Sequence, residues 1–276
     1  MGRSYYYQLM FGIYGGALLF CGALRVYLRF FGIDVVTGFY TASGLPVFAF
    51  NAVLGAALGA MLLLNRLRVT AHDYPVLQKS RTSSALALLV GLFIALFMLE
   101  ATRLKTFTRH SGIRLEGLSA KVCAVLGLLS ALAFLWLGLR GTAEARRGLG
   151  VVLLVPVIWQ TVLLVSKFND YTTITTISDN LLVILFMVFN CCFIMGHART
   201  VCGFARKDGR NYLLPTGLAT SLLGLLLTVP NYLYVLLRHT RLPAEALGDM
   251  ECLYVFVMSL FALAAVRELR KSIVMV

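Results

Sequence analysis

The sequence predicts an all-α protein, a polytopic integral membrane bundle of about eight transmembrane helices without a soluble domain. Of the 276 residues, 59% are hydrophobic and only 13% are charged. The apolar residues form eight long stretches, and about 20 apolar residues suffice for one helical crossing of a hydrocarbon core. Runs such as residues 181–189 are continuously apolar, whereas the strands of a membrane barrel would alternate apolar and polar residues.

The eight predicted spans form one transmembrane domain that covers residues 1–276. In chain order they are residues 7–28, 45–64, 83–99, 120–139, 149–166, 180–196, 212–237 and 251–266. The segments between them are too short to hold a further domain. The lipid bilayer is therefore the first partner that the sequence predicts.

Spans 1 and 2 carry glycines four positions apart, Gly12 with Gly16 and Gly55 with Gly59. Small residues at this spacing let two helix backbones approach closely in lipid. We expect the two spans to pack through these glycines inside one monomer. The alternative is a contact between two copies in a homo-oligomer.

Two connecting segments have recognisable features. Residues 30–44 are apolar but interrupted, and three interpretations stay open: an interfacial segment, a re-entrant loop, or the start of a long span 2 kinked at Pro46. Residues 169–176 are polar and β-branched, which predicts extended backbone. Ser178 and Asp179 then predict the start of span 6, because their side chains can accept hydrogen bonds from the first free amides of a helix.

The basic residues predict an orientation rather than an acidic partner. The net charge is +13, but Lys and Arg flank the spans, as they do on the cytoplasmic side of membrane proteins. An even number of spans puts both termini on one side, and that side holds 15 Lys and Arg against 10 on the other. We expect a multi-pass protein of the cell membrane with cytoplasmic termini and no nucleic-acid partner, although five basic residues between Arg103 and Lys121 oppose this orientation.

The centres of the predicted spans hold amides but no charged residue. The amides are Asn51, Gln160, Asn190 and Asn231. Gln160 follows Pro156 by about one helical turn and precedes Lys167 by seven residues, which places the three on one helix face. Because a proline frees a backbone carbonyl that protein or water must satisfy, spans 5, 6 and 7 are predicted to line a polar cavity. The alternative is that the amides only bond neighbouring helices, at about 0.6 to 2 kcal/mol each.

The sequence-based hypothesis is that a small neutral or lipid-like solute is bound or passed through a cavity between spans 5, 6 and 7. Gln160, Asn190 and Asn231 would orient the solute, and Trp159 and Tyr234 would form walls of the cavity. The alternative is a membrane signalling or scaffold subunit without a solute path, which docks a protein partner through its basic loops. A membrane-bound enzyme ranks third.

Several chemistries have no pattern to support them. The acidic residues near the spans lie at predicted span ends: Glu100, Asp170, Asp179, Asp249 and Glu251. Coupling to an ion through a mid-membrane carboxylate, which transporters commonly use, is therefore not expected. Of the four histidines only His197 comes close to a span, the cysteines lack metal-ligand spacing, and no nucleophile has a base nearby in the pattern. No cofactor, metal or catalytic residue is predicted.

Overall fold

The structure is a computed structural model that describes residues 3–33, 40–41, 44–67, 80–103, 118–141, 151–173, 178–202, 212–238 and 247–274. Within these ranges eight long helices follow one another along the chain. They are α1 (Arg3–Tyr27), which continues as a π-helix (Leu28–Gly32), α2 (Gly44–Leu67), α3 (Arg81–Arg103), α4 (Leu118–Arg140), α5 (Leu154–Thr173), α6 (Ser178–Val201), α7 (Leu213–Arg238) and α8 (Asp249–Val274). Each predicted span corresponds to one of these helices.

Seven of the described helices are long and apolar enough to cross a membrane, and α5 contributes a shorter apolar stretch, Leu154–Phe168. The outside of the bundle exposes large apolar side chains, among them Leu19, Leu45 and Leu139, each more than 70% exposed. Apolar patches of this extent are unusual on soluble monomers. Length, composition and surface together indicate a multi-pass membrane protein.

Helices α3 to α8 form a closed ring. Each packs on the next one along the chain, and α8 returns to pack against α3. Helices α1 and α2 lie outside the ring and pack on each other, with α1 also against α7. Helix α7 is therefore covered on both sides, and 89% of its apolar stretch is buried, the highest share among the seven long apolar helices.

The contacts between helices fix their relative directions. Tyr14 and Ser221 share a hydrogen bond of 3.0 Å, and Phe30 packs on Tyr234, so α1 and α7 run in parallel. Helices α7 and α8 run in opposite directions, since a side chain at Gly217 would meet Val266 and one at Gly224 would meet Ser259. The start of α1 and the end of α8 consequently lie at the same end of the bundle.

The structure differs from the local predictions for residues 169–176 and for Pro46, and it describes only part of residues 30–44. The backbone of residues 169–173 is helical, as the end of α5, and the rest of the segment predicted to be extended lies outside the described residues. Helix α1 ends in the π-helix and Ile33 pairs back with Tyr40, whereas residues 34–39 lie outside the described part. Pro46 sits in the first turn of α2, where its missing N–H costs no helical hydrogen bond, so it kinks no span.

The expected packing through the glycines of spans 1 and 2 is wrong. A Cβ atom added at Gly12, Gly16, Gly55 or Gly59 would have nothing within 4 Å. The close glycine contacts lie elsewhere, between α3 and α4 and around α7. A Cβ atom at Gly91 of α3, for example, would lie 2.8 Å from the backbone oxygen of Ala131 in α4.

Candidate functional site

Two of the predicted amides converge inside the ring on one tyrosine hydroxyl. Asn190 of α6 donates from Nδ2 to the hydroxyl of Tyr254 at 3.0 Å, and that hydroxyl donates to Oε1 of Gln160 in α5, also at 3.0 Å. Gln160 and Asn190 are fully buried and Tyr254 is 2% exposed. We call Gln160, Asn190 and Tyr254 the polar tier.

Trp159 lies against the polar tier. Its ring contacts that of Tyr254 edge-on, with centroids 5.6 Å apart, and lies between this ring and Phe97 of α3. Trp159 is completely buried. Aromatic rings of this size fill volume without offering many polar partners, so they confine the amides to a small region.

The other two predicted site residues do not join the polar tier. Tyr234 packs on Phe30 with ring centroids 5.2 Å apart, and therefore lies where α7 meets α1. Asn231 is buried, at 8% exposure, and lies two helical turns after Gly224, on the face that α7 turns to α6 and α8. No hydrogen bond in the described part of the chain joins Asn231 to the polar tier.

A buried ion pair lies beside the polar tier. Lys167 of α5 bonds through its Nζ atom to Oε1 of Glu251 in α8, and both side chains are at most 1% exposed. Glu251 is the third residue of α8. Its predicted position near the end of a helix is therefore confirmed. The structure shows that this carboxylate is nevertheless enclosed by the bundle, which the sequence pattern did not reveal.

An aromatic layer lies on the other side of the polar tier. Phe261 of α8 contacts Phe134 of α4 and both Phe193 and His197 of α6, with centroids 5.6 to 6.0 Å apart. Along α8, Glu251 precedes Tyr254 by three residues and Phe261 follows it by seven. At 1.5 Å per residue the ion pair and the aromatic layer lie roughly 5 and 10 Å to either side of the polar tier.

The polar tier keeps unused hydrogen-bonding capacity. The Nε2 atom of Gln160 and the Oδ1 atom of Asn190 are both buried without a partner among the described residues. Buried polar groups are normally satisfied, and one that is not calls for an explanation such as a water or a ligand. These two atoms give the polar tier the capacity to bond a further polar group.

Tyr254 and the ion pair are the functional candidates that sequence reasoning missed. A search for amides and mid-span charges passes over a tyrosine, although Glu251 and Tyr254 lie three residues apart and thus on one face of α8. That spacing was the available signal. Within the described residues no group of three or more His, Cys, Asp or Glu side chains is placed to hold a metal ion.

Comparison with protein-family models, with curated proteins and with solved structures found no match for this chain.

Proposed function

We propose that this protein binds a small, uncharged, hydrogen-bonding solute at the polar tier, inside the ring of α3 to α8, and passes it across the cell membrane. The observation that carries the proposal is the convergence of Gln160 and Asn190 on Tyr254 with one polar atom of each amide left without a partner. The bonds to Tyr254 alone would serve equally to hold α5, α6 and α8 together, so the proposal rests on the two atoms that have no partner.

The surroundings of the polar tier support a binding site closed at both ends. On one side Lys167 and Glu251 cross the interior from α5 to α8, and on the other the aromatic layer fills it. Polar and ionisable residues inside a membrane bundle are costly and commonly mark the path of a solute. Passage would require the ion pair and the aromatic layer to open in turn.

The absence of net charge at the tier favours an uncharged solute. Gln160, Asn190 and Tyr254 are neutral, and the two nearby charges neutralise each other in the ion pair. A charged solute would need an opposite charge to offset its loss of hydration. The proposed site thus differs from the sequence-based one in lying between α5, α6 and α8 rather than between spans 5, 6 and 7.

A thermal-stability screen tests the proposal. The purified full chain in detergent would be melted with a panel of uncharged amides, lactams, polyols and nucleobases, beside Gln160→Leu and Asn190→Leu. A solute at 100 times its Kd stabilises the native state by about 2.7 kcal/mol, which raises the melting temperature measurably. We expect at least one solute to raise the melting temperature of the parent protein and to raise that of the two variants much less.

Thr161→Val is the matched control, because Thr161 neighbours Gln160 but is exposed, and its hydroxyl bonds to the carbonyl of Val157 and contacts the sulfur of Cys191 rather than the polar tier. This control should respond to solutes as the parent does. If no solute stabilises the parent and the amide variants only lose about 1 kcal/mol each, the amides hold helices together. The signalling or scaffold function would then be the better proposal, and the basic loops 68–79, 142–150 and 203–210 that would dock its partner lie outside the described residues.

A further inference from the structure

The hydroxyl of Tyr254 determines which hydrogen bonds the polar tier offers to a solute, and this rests on the proposed function. We propose that the solute carries a hydrogen-bond donor and an acceptor side by side, as a cis amide, lactam or urea does. The inference follows from the count of protons and lone pairs on three side chains.

A phenolic hydroxyl has a single proton to donate. In the structure Tyr254 gives that proton to Oε1 of Gln160 and accepts a hydrogen bond from Nδ2 of Asn190. The unused groups are consequently the Nε2 donor of Gln160 and the Oδ1 acceptor of Asn190, both buried and without a partner among the described residues. The tier therefore presents at least one donor and one acceptor.

This result does not depend on how the two amides are oriented. Oxygen and nitrogen of a carboxamide exchange places when the group is flipped by 180°. Because Tyr254 has one proton, at least one of the two amides must donate to it; if both donate, the phenolic proton becomes the unused donor and the two amide oxygens are the unused acceptors. Flipping both side chains exchanges the roles of Gln160 and Asn190 but still leaves one donor and one acceptor.

The complementary solute has an acceptor and a donor on adjacent atoms. The C=O and N–H of a cis amide satisfy both groups at once, in the way that paired bidentate contacts give specificity in other sites. A lactone or an N-methylated lactam has the acceptor but lacks the donor, and would leave the acceptor of the tier buried and unpaired. A site that hydrogen-bonds a ligand N–H rejects such an analogue strongly, because its own buried polar group then stays unsatisfied.

Three six-membered rings of nearly equal size test this preference: δ-valerolactam, N-methyl-2-piperidone and δ-valerolactone. Each would be titrated against the full chain in lipid nanodiscs, and saturable binding followed by ligand-observed NMR. We expect the lactam to bind at least tenfold more tightly than either analogue. A smaller ratio, or no saturable binding of the lactam, overturns the inference.

Variants separate the roles of the two groups. Asn190→Leu removes the group that would accept the solute N–H, so it should weaken lactam binding tenfold or more and change N-methyl-lactam binding less than threefold. Tyr254→Phe removes the hydroxyl that bridges the two amides and leaves both free to turn. The ratio of the affinity for the lactam to that for either analogue should therefore fall towards one. Thr161→Val should keep the preference of the parent. If the variants leave the preference unchanged, the tier is not the binding site of the lactam.

The outcome also separates this inference from the function on which it rests. If other uncharged solutes bind in a manner that depends on Gln160 while the lactam does not, only the solute class is wrong. If no solute in the wider panel binds, the proposed function fails as well.

Discussion

The buried pair of Lys167 and Glu251 allows a stability prediction from the burial of its two side chains. Both are at most 1% exposed and bond across the interior of the ring. Removal of one partner leaves the other charge enclosed without compensation, which typically costs about 3 to 5 kcal/mol, whereas a pair of apolar residues of similar size is often as stable as the ion pair. We expect Lys167→Met and Glu251→Leu each to lower the free energy of unfolding by about 3 kcal/mol or more.

The double variant distinguishes this reasoning from simple loss of packing. With both charges gone, Lys167→Met with Glu251→Leu should recover most of the stability, which corresponds to a coupling energy of at least about 2 kcal/mol in the mutant cycle. The unfolding free energy would be measured by steric trapping in lipid micelles for the parent, the two single variants and the double variant. Additive losses, or single losses below about 1 kcal/mol, would show that water reaches these charges and that the pair is not enclosed.

Three further predictions concern packing, the polar tier and orientation. Gly91→Ala should cost about 1 to 3 kcal/mol, because its Cβ would lie 2.8 Å from the backbone oxygen of Ala131, whereas Gly55→Ala meets nothing within 4 Å and should change the melting temperature little. Tyr254→Phe should destabilise the protein by about 1 to 2 kcal/mol, since two interhelical hydrogen bonds are lost. A cysteine at position 207 on a cysteine-free background should be labelled by impermeant thiol reagents only after cells are opened, if the termini are cytoplasmic.

Each of these three has an outcome that contradicts it. Equal melting temperatures for the alanine variants at positions 91 and 55 would mean that α3 and α4 can separate without loss. A Tyr254→Phe variant as stable as the parent would show that the polar tier is not held by the tyrosine. Labelling of position 207 in intact cells would reverse the orientation inferred from the basic residues.

The helices could be predicted from the sequence because their signal is local. Each span is a run of apolar residues whose length is set by the thickness of a bilayer, and every predicted run overlaps an observed helix, seven of which are long and apolar enough to cross a membrane. The helical backbone of residues 169–173 was not predicted, because their β-branched and polar composition favours extended backbone. That preference does not decide the conformation when a helix precedes them. Here α5 continues to Thr173.

The contacts between helices were harder to predict from the sequence. The spacing of Gly12 and Gly16 indicates that a close approach is possible, but the sequence does not state which face of α1 meets another helix, and the structure leaves these glycines uncovered. The same limit applies to the polar tier. Gln160 and Asn190 were identified as buried polar groups, but their shared partner lies 64 residues beyond Asn190, and only the closure of the ring brings α8 to them.

Helix α7 has a consequence for how the protein is made in the cell. Helices α1 and α2 leave the ribosome before α7, yet α1 packs on α7. The hydroxyl of Tyr14 can bond to Ser221 only after a further 207 residues have been synthesised. Until then a polar group of α1 stays in contact with lipid or with another protein. Helices α1 and α2 can therefore reach their place in the bundle only after α7 has been synthesised, and a chain cut short before α7 would leave them without this packing partner.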